Sequence, residues 1–68
     1  MDLRIELERE DDGRWVAEVP ALPGVLAYGA DQAEAIRAVK ALAFRVLADR
    51  LEHGEPTSDL DHVAFVAA

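Results

Sequence analysis

The chain opens on a strict alternation. From Asp2 to Glu8, Leu3, Ile5 and Leu7 fall on one side while Asp2, Arg4, Glu6 and Glu8 fall on the other. A period of two with one polar side predicts a strand that buries one face and wets the other. Glu10-Asp11-Asp12-Gly13 follows, and its Asp-Gly pair marks a hairpin turn. Arg14 to Val19 is then the return strand, with Trp15, Ala17 and Val19 facing inward and Arg14, Val16 and Glu18 outward. Pro20-Ala21-Leu22-Pro23-Gly24 interrupts the pattern. Each prolyl ring fixes φ and removes a backbone donor, so neither proline can sit in a paired central strand. Val25 to Gly29 reads as a short third strand.

The period then changes to that of a helix. Asp31 followed three residues later by Glu34 predicts a capping box, and the helix runs from Gln32 to Glu52. Gly54, free to take a left-handed conformation, and Pro56, which prevents continuation, mark its end. His53 beside the last carbonyls is favourable there when protonated. Thr57 to Asp61 is a polar linker, and His62 to Ala67 is a last strand. Val63, Phe65 and Ala67 alternate there with Ala64 and Val66, so both faces are apolar and call for cover on both sides or an interface. The predicted fold is α+β, in the order β-β-β-α-β, with one helix packed on a four-stranded sheet. A last strand returning beside the first would be parallel to it, by the right-handed crossover rule.

The helix asks for more than one contact. At 1.5 Å per residue it is about 31 Å long, whereas a six-residue strand spans about 20 Å, so part of it overhangs the sheet. Ile36, Val39, Ala43, Val46, Leu47 and Leu51 form a core stripe. Leu42 and Phe44 on its two flanks widen the apolar arc to about 200°, where one buried face needs little more than about 100°. Leu42, Phe44, Leu51 and Phe65 are therefore expected at the interface of a homo-oligomer, a dimer or a tetramer.

Composition supports that expectation. The chain has 68 residues, 51% of them hydrophobic, and no cysteine. It has room for one domain, residues 1–68, and a core of this size is marginal without a disulfide or metal clamp. Self-association is the staple left to it. Fourteen acidic against seven basic residues give a net charge of −7, with no basic run. Phosphate backbones would be repelled, so direct binding to nucleic acid is not expected, and a basic partner suits the field better. No basic-then-apolar leader and no membrane span is read from the sequence, so a cytoplasmic location is expected.

Candidate chemistry is thin. No nucleophile triad or phosphate-cradling glycine loop is spaced along the chain. His53, Asp59, Asp61 and His62 make one conceivable metal set, and Glu6, Glu8, Glu34 and Asp61 a conceivable two-metal carboxylate set. Against the second, Glu6 and Glu8 fall on the wet face and Glu34 is explained by capping. No catalytic residue, metal or cofactor is assigned. Trp15 reads as a core or core-edge aromatic, and Tyr28 shares the outer face with Glu18 and Val16.

Asp12-Gly13-x-Trp15-Val16-Ala17-Glu18-Val19-Pro20-x-Leu22-Pro23-Gly24, followed by Gly29 and then Glu34-Ala35, resembles the HicB-like antitoxin family. The likeness spans nearly the whole chain. Asp31 stands where that family often has Thr, a swap that keeps the cap, and Val25 where it often has Cys. The resemblance implies a partial ribonuclease-H layer, usually without nuclease activity. It also implies binding to a small, basic, mRNA-cleaving toxin of the HicA type. Many family members carry a further DNA-binding domain, which the residues here do not include. Glu6, Glu8, Glu18 and Tyr28 are the residues expected to meet the toxin. Two other readings remain at this point: a solitary oligomeric scaffold, and a metal-dependent nuclease.

Overall fold

β1 (Asp2–Arg9) forms where the alternation predicts it, with Leu3 and Ile5 buried and Asp2, Arg4 and Glu6 exposed. The structure is a computed structural model and describes residues 1–55 and 58–67. Pro56 as the helix stop, and Thr57 as the start of a linker, lie outside the described residues.

The hairpin turn leads to β2 (Trp15–Glu18), antiparallel to β1, with Gly13 at φ +89° inside the turn. Its ends are tied by the Glu10 amide donating to the Arg14 carbonyl at 2.7 Å and the Gly13 amide to the Glu10 carbonyl at 3.0 Å. Two consecutive β-turns then carry the chain to β3 (Leu26–Gly29). The Leu22 amide donates to the Val19 carbonyl and the Val25 amide to the Leu22 carbonyl, each at 3.0 Å. Each turn places a proline at its second position, where a fixed φ is wanted, and Gly24 at φ +84° supplies the positive φ of a type II turn. Between the prolines, Leu22 points inward and plugs the end of the core.

Helix α1 (Gln32–Glu52) has the predicted bounds. The Asp31 carboxylate accepts the Glu34 amide at 2.8 Å. Among the described residues the reciprocal arm of the capping box, from the Glu34 side chain, is not formed, so the cap is single. At the other end the Glu55 amide reaches the Arg50 carbonyl and the Gly54 amide the Leu51 carbonyl, both at 3.1 Å. With Gly54 at φ +73°, this is a Schellman closure. The His53 Nδ1 lies 2.7 Å from the Asp49 carbonyl oxygen, in the place the sequence suggests.

The order of strands is β3-β2-β1-β4, where β4 (Ala64–Ala67) runs parallel to β1. The molecule is thus an α+β layer with one helix on one face of a four-stranded mixed sheet. β4 is two residues shorter at its start than the apolar pattern suggests. Residues Ser58–Asp61 wind into a 3-10 helix, and the Met1 ammonium group donates to the carbonyls of Asp59 and His62. The 3-10 helix takes up the residues before the strand, and the Met1 amine on the His62 carbonyl, together with the Ala64 amide on the Met1 carbonyl at 2.9 Å, leads into the parallel ladder.

The core lies between the sheet and α1 as far as Leu47. It consists of Leu3, Ile5, Ala17, Val19, Leu22, Val25, Ala35, Val39, Ala43 and Leu47, with Trp15 packed at its edge. Three corrections to the helix stripe follow. Ala35, absent from the predicted stripe, is fully buried, because the helix passes directly over Gly29. A Cβ at Gly29 would lie 2.4 Å from the Ala35 nitrogen, so the strand end and the first helical turn touch backbone to backbone. Leu51, placed in the stripe, is 53% exposed, since the helix has by then run past the sheet. Leu42, expected on a free flank, is half-buried against the core.

Candidate binding face

Two cross-strand rows define the open side of the sheet. Glu6 on β1 stands opposite Glu18 on β2, which stands opposite Leu26 on β3. One step along, Glu8 stands opposite Val16 and Val16 opposite Tyr28. Because side chains alternate across a strand, all six project to the side away from α1. The four residues expected to meet a partner are therefore brought onto one surface. A shallow cleft of about 120 Å³ lies among Glu6, Leu7, Glu8, Val16, Glu18 and Leu26.

Its electrostatics are one-sided. Like charges directly opposite on antiparallel strands destabilise the pair, and Glu6 and Glu18 stand in that relation. Among the described residues the ion pairs are Arg14 with Asp12 at 2.7 Å and His53 with Asp49 at 3.4 Å, so none neutralises Glu6, Glu8 or Glu18. Beside these carboxylates Leu26 is 40% and Tyr28 46% exposed, apolar surface next to uncompensated charge.

Tyr28 has a basic neighbour that its sequence position does not announce. The Arg14 guanidinium lies 4.7 Å from the centroid of the Tyr28 ring, a cation–π contact, while its Nε binds Asp12. The Asp12 carboxyl is held below its usual value near 3.8, first by the Arg14 backbone amide and then by the Arg14 side chain. The hairpin end of the face is thus internally paired, and among the described residues Glu6, Glu8 and Glu18 form no ion pair.

The conceivable metal sets do not assemble. Glu6 and Glu8 lie on the open face, whereas Glu34 sits in the first turn of α1 on the other side of the sheet. Among the described residues no three histidine or carboxylate side chains come close enough together to hold a metal ion.

The residues expected at an oligomer interface divide. Phe44, 55% exposed, and Leu51 flank a mostly apolar hollow of about 390 Å³, lined also by Leu47, Ala48, Leu60 and Val63. Phe65 is half-buried and meets the Phe44 ring edge-on, with centroids 5.4 Å apart, and the Lys40 ammonium lies 5.5 Å from the Phe65 centroid. Leu42 takes no part, being packed on the core. Leu60 is the member with no expected role, and Val63 is expected only as part of the last strand. A leucine between Asp59 and Asp61, three residues before a valine, was the available signal.

Among the described residues no helix is long and apolar enough to cross a membrane. Compared with known proteins, the chain matches no family model, no curated protein and no solved structure.

Proposed function

We propose that this chain is a non-enzymatic, HicB-like binding protein that acts by covering a small basic protein, in the manner of an antitoxin on a HicA-type ribonuclease. One observation carries the reading: Glu6 and Glu18 are held opposite each other on the open sheet face, and among the described residues neither forms an ion pair. A fold that keeps such a pair against its own stability has a use for it, and a lysine or arginine from a partner turns the penalty into attraction. Val16, Leu26 and Tyr28 supply the apolar ground beside the charge that a protein interface needs. Occlusion makes and breaks no bond, so no residue is catalytic and no cofactor is required. The sequence likeness supplies the identity of the partner, the negative charge its sign, and the reading places the protein in the cytoplasm as a homo-oligomer.

The test is titration of the purified chain against a basic HicA-type ribonuclease, read by calorimetry and by protection of an RNA substrate. Binding that weakens as salt rises, and that falls on the order of tenfold for Glu6→Gln or Glu18→Gln, is expected. No protection of the RNA, or an affinity indifferent to salt and to both substitutions, would overturn the proposal. Hydrolysis of RNA by the chain alone with Mg²⁺ or Mn²⁺ would replace it with the nuclease reading.

A further inference from the structure

The edge strand β4 and the hollow beside it are unfinished in the same place. In a parallel ladder alternate residues turn both backbone groups toward the neighbour. Ala64, whose amide bonds to Met1, is one of these, so the amide and carbonyl of Phe65 point outward along the free edge. Natural edges are blunted by charge, proline or a bulge, yet β4 reads Ala64-Phe65-Val66-Ala67. On its open side Val66 is 52% exposed, and on its helix side lies the hollow walled by Phe44, Leu51, Leu60 and Val63.

The other edge does not combine these features. β3 also has a free edge, but the first half of α1 is seated over β3 and β2, and their apolar side is filled. Among the described residues, only at β4 does an unpaired edge adjoin unburied apolar surface on both sides of the sheet.

We infer that a second copy of this chain docks on β4, the two β4 strands pairing antiparallel about a two-fold axis perpendicular to the sheet. That operator keeps both helices on one side and joins the sheets into eight continuous strands. It sets one hollow against the other above the seam and one Val66 beside the other below it. A standard interface takes about 800 Å² per partner, roughly a sixth of this chain's 4545 Å² surface. The last turns of α1, the 3-10 helix and β4 bring the exposed Phe44, Leu51 and Val66 and the apolar hollow to that one edge. An isologous contact of this kind is self-complementary, since each copy offers both the projecting Phe44 and Leu51 and the hollow between them. The same axis places the two acidic faces side by side on one surface. The inference deepens the oligomeric part of the proposed function and does not depend on the toxin-binding part.

Sedimentation equilibrium of the full chain, with amide hydrogen exchange on the same samples, tests it. The wild type is expected to be a dimer in which the Phe65 amide is protected. Phe44→Glu with Leu51→Glu, both at exposed sites, should weaken dimerisation at least about tenfold and expose that amide, with helix content by circular dichroism unchanged. Val66→Lys, on the opposite side of the seam, should act in the same direction. Glu6→Gln with Glu18→Gln should leave the dimer intact, so that loss of partner binding and loss of self-association are separable. A chain that stays monomeric at millimolar concentration overturns the inference. So does a dimer whose Phe65 amide exchanges as fast as in the Phe44→Glu, Leu51→Glu variant.

Discussion

Along the first half of α1, Ala35, Val39 and Ala43 are fully buried against β3 and β2, while along the second half Phe44 and Leu51 remain more than half exposed. Both halves belong to one uninterrupted helix of similar composition. They differ in what lies beneath. The first half sits on a sheet closed by the Gly29 contact and plugged by Leu22, and the second extends beyond it, which gives the molecule its extents of 40 × 20 × 16 Å. Apolar side chains stabilise a fold only where a surface comes to meet them, and on this helix the surface ends near Leu47.

The largest effect is expected where the first half is tightest. Gly29→Val would force a side chain into the backbone of Ala35, and overpacking of this kind costs about 3 kcal/mol. In a domain with a total stability of only about 5 kcal/mol, that leaves about 2 kcal/mol, so the urea midpoint should fall by more than half. Next, Val39→Ala should destabilise by about 2 kcal/mol, and Leu51→Ala by less than about 0.5 kcal/mol when measured at concentrations that keep the chain dissociated. Equal losses at the two sites would erase the distinction between the halves. The two helix ends should be alike: Asp31→Ala removes the cap on the first turn and Gly54→Ala strains the left-handed closure of the last, each by about 1 kcal/mol. A shift in the thermal midpoint for each variant is the readout.

The smallest effect is one of pH. Asp12 is held below its ordinary value in the folded chain, so its stabilising contribution is present above pH about 4 and is lost as pH falls through the lowered value. Asp12→Asn should remove this dependence while leaving the acid titration of the rest of the molecule in place. Parallel acid-unfolding curves for wild type and variant are the check. The pair lies on the surface, and the difference should fade with added salt.

Local signals made most of the fold legible. The alternation at Leu3, Ile5 and Leu7, the two turn prolines, Asp31 and Gly54 each act within a few residues, and the elements formed where they pointed. The sites of failure depend on distant chain. Ala35 is core only because Gly29 lies under it, and Leu51 is exposed only because no strand reaches so far. β4 starts two residues late, after a 3-10 helix that runs on to Asp61. The open face was legible to the extent that alternation set Glu6, Glu8 and Glu18 outward. That Glu6 meets Glu18 is a matter of register, and that Arg14 covers Tyr28 a matter of diagonal neighbours, neither of which a single sequence displays.

The pairing of β4 with β1 joins positions about sixty residues apart, the costliest loop closure in the molecule. During synthesis the hairpin and the helix can collapse early, but β1 must wait with one side open until β4 has emerged. The side that stays open longest is that of Leu3 and Ile5, the most apolar part of the strand. The order of events in time therefore makes this small sheet most vulnerable to wrong partners before it is old enough to have the right one.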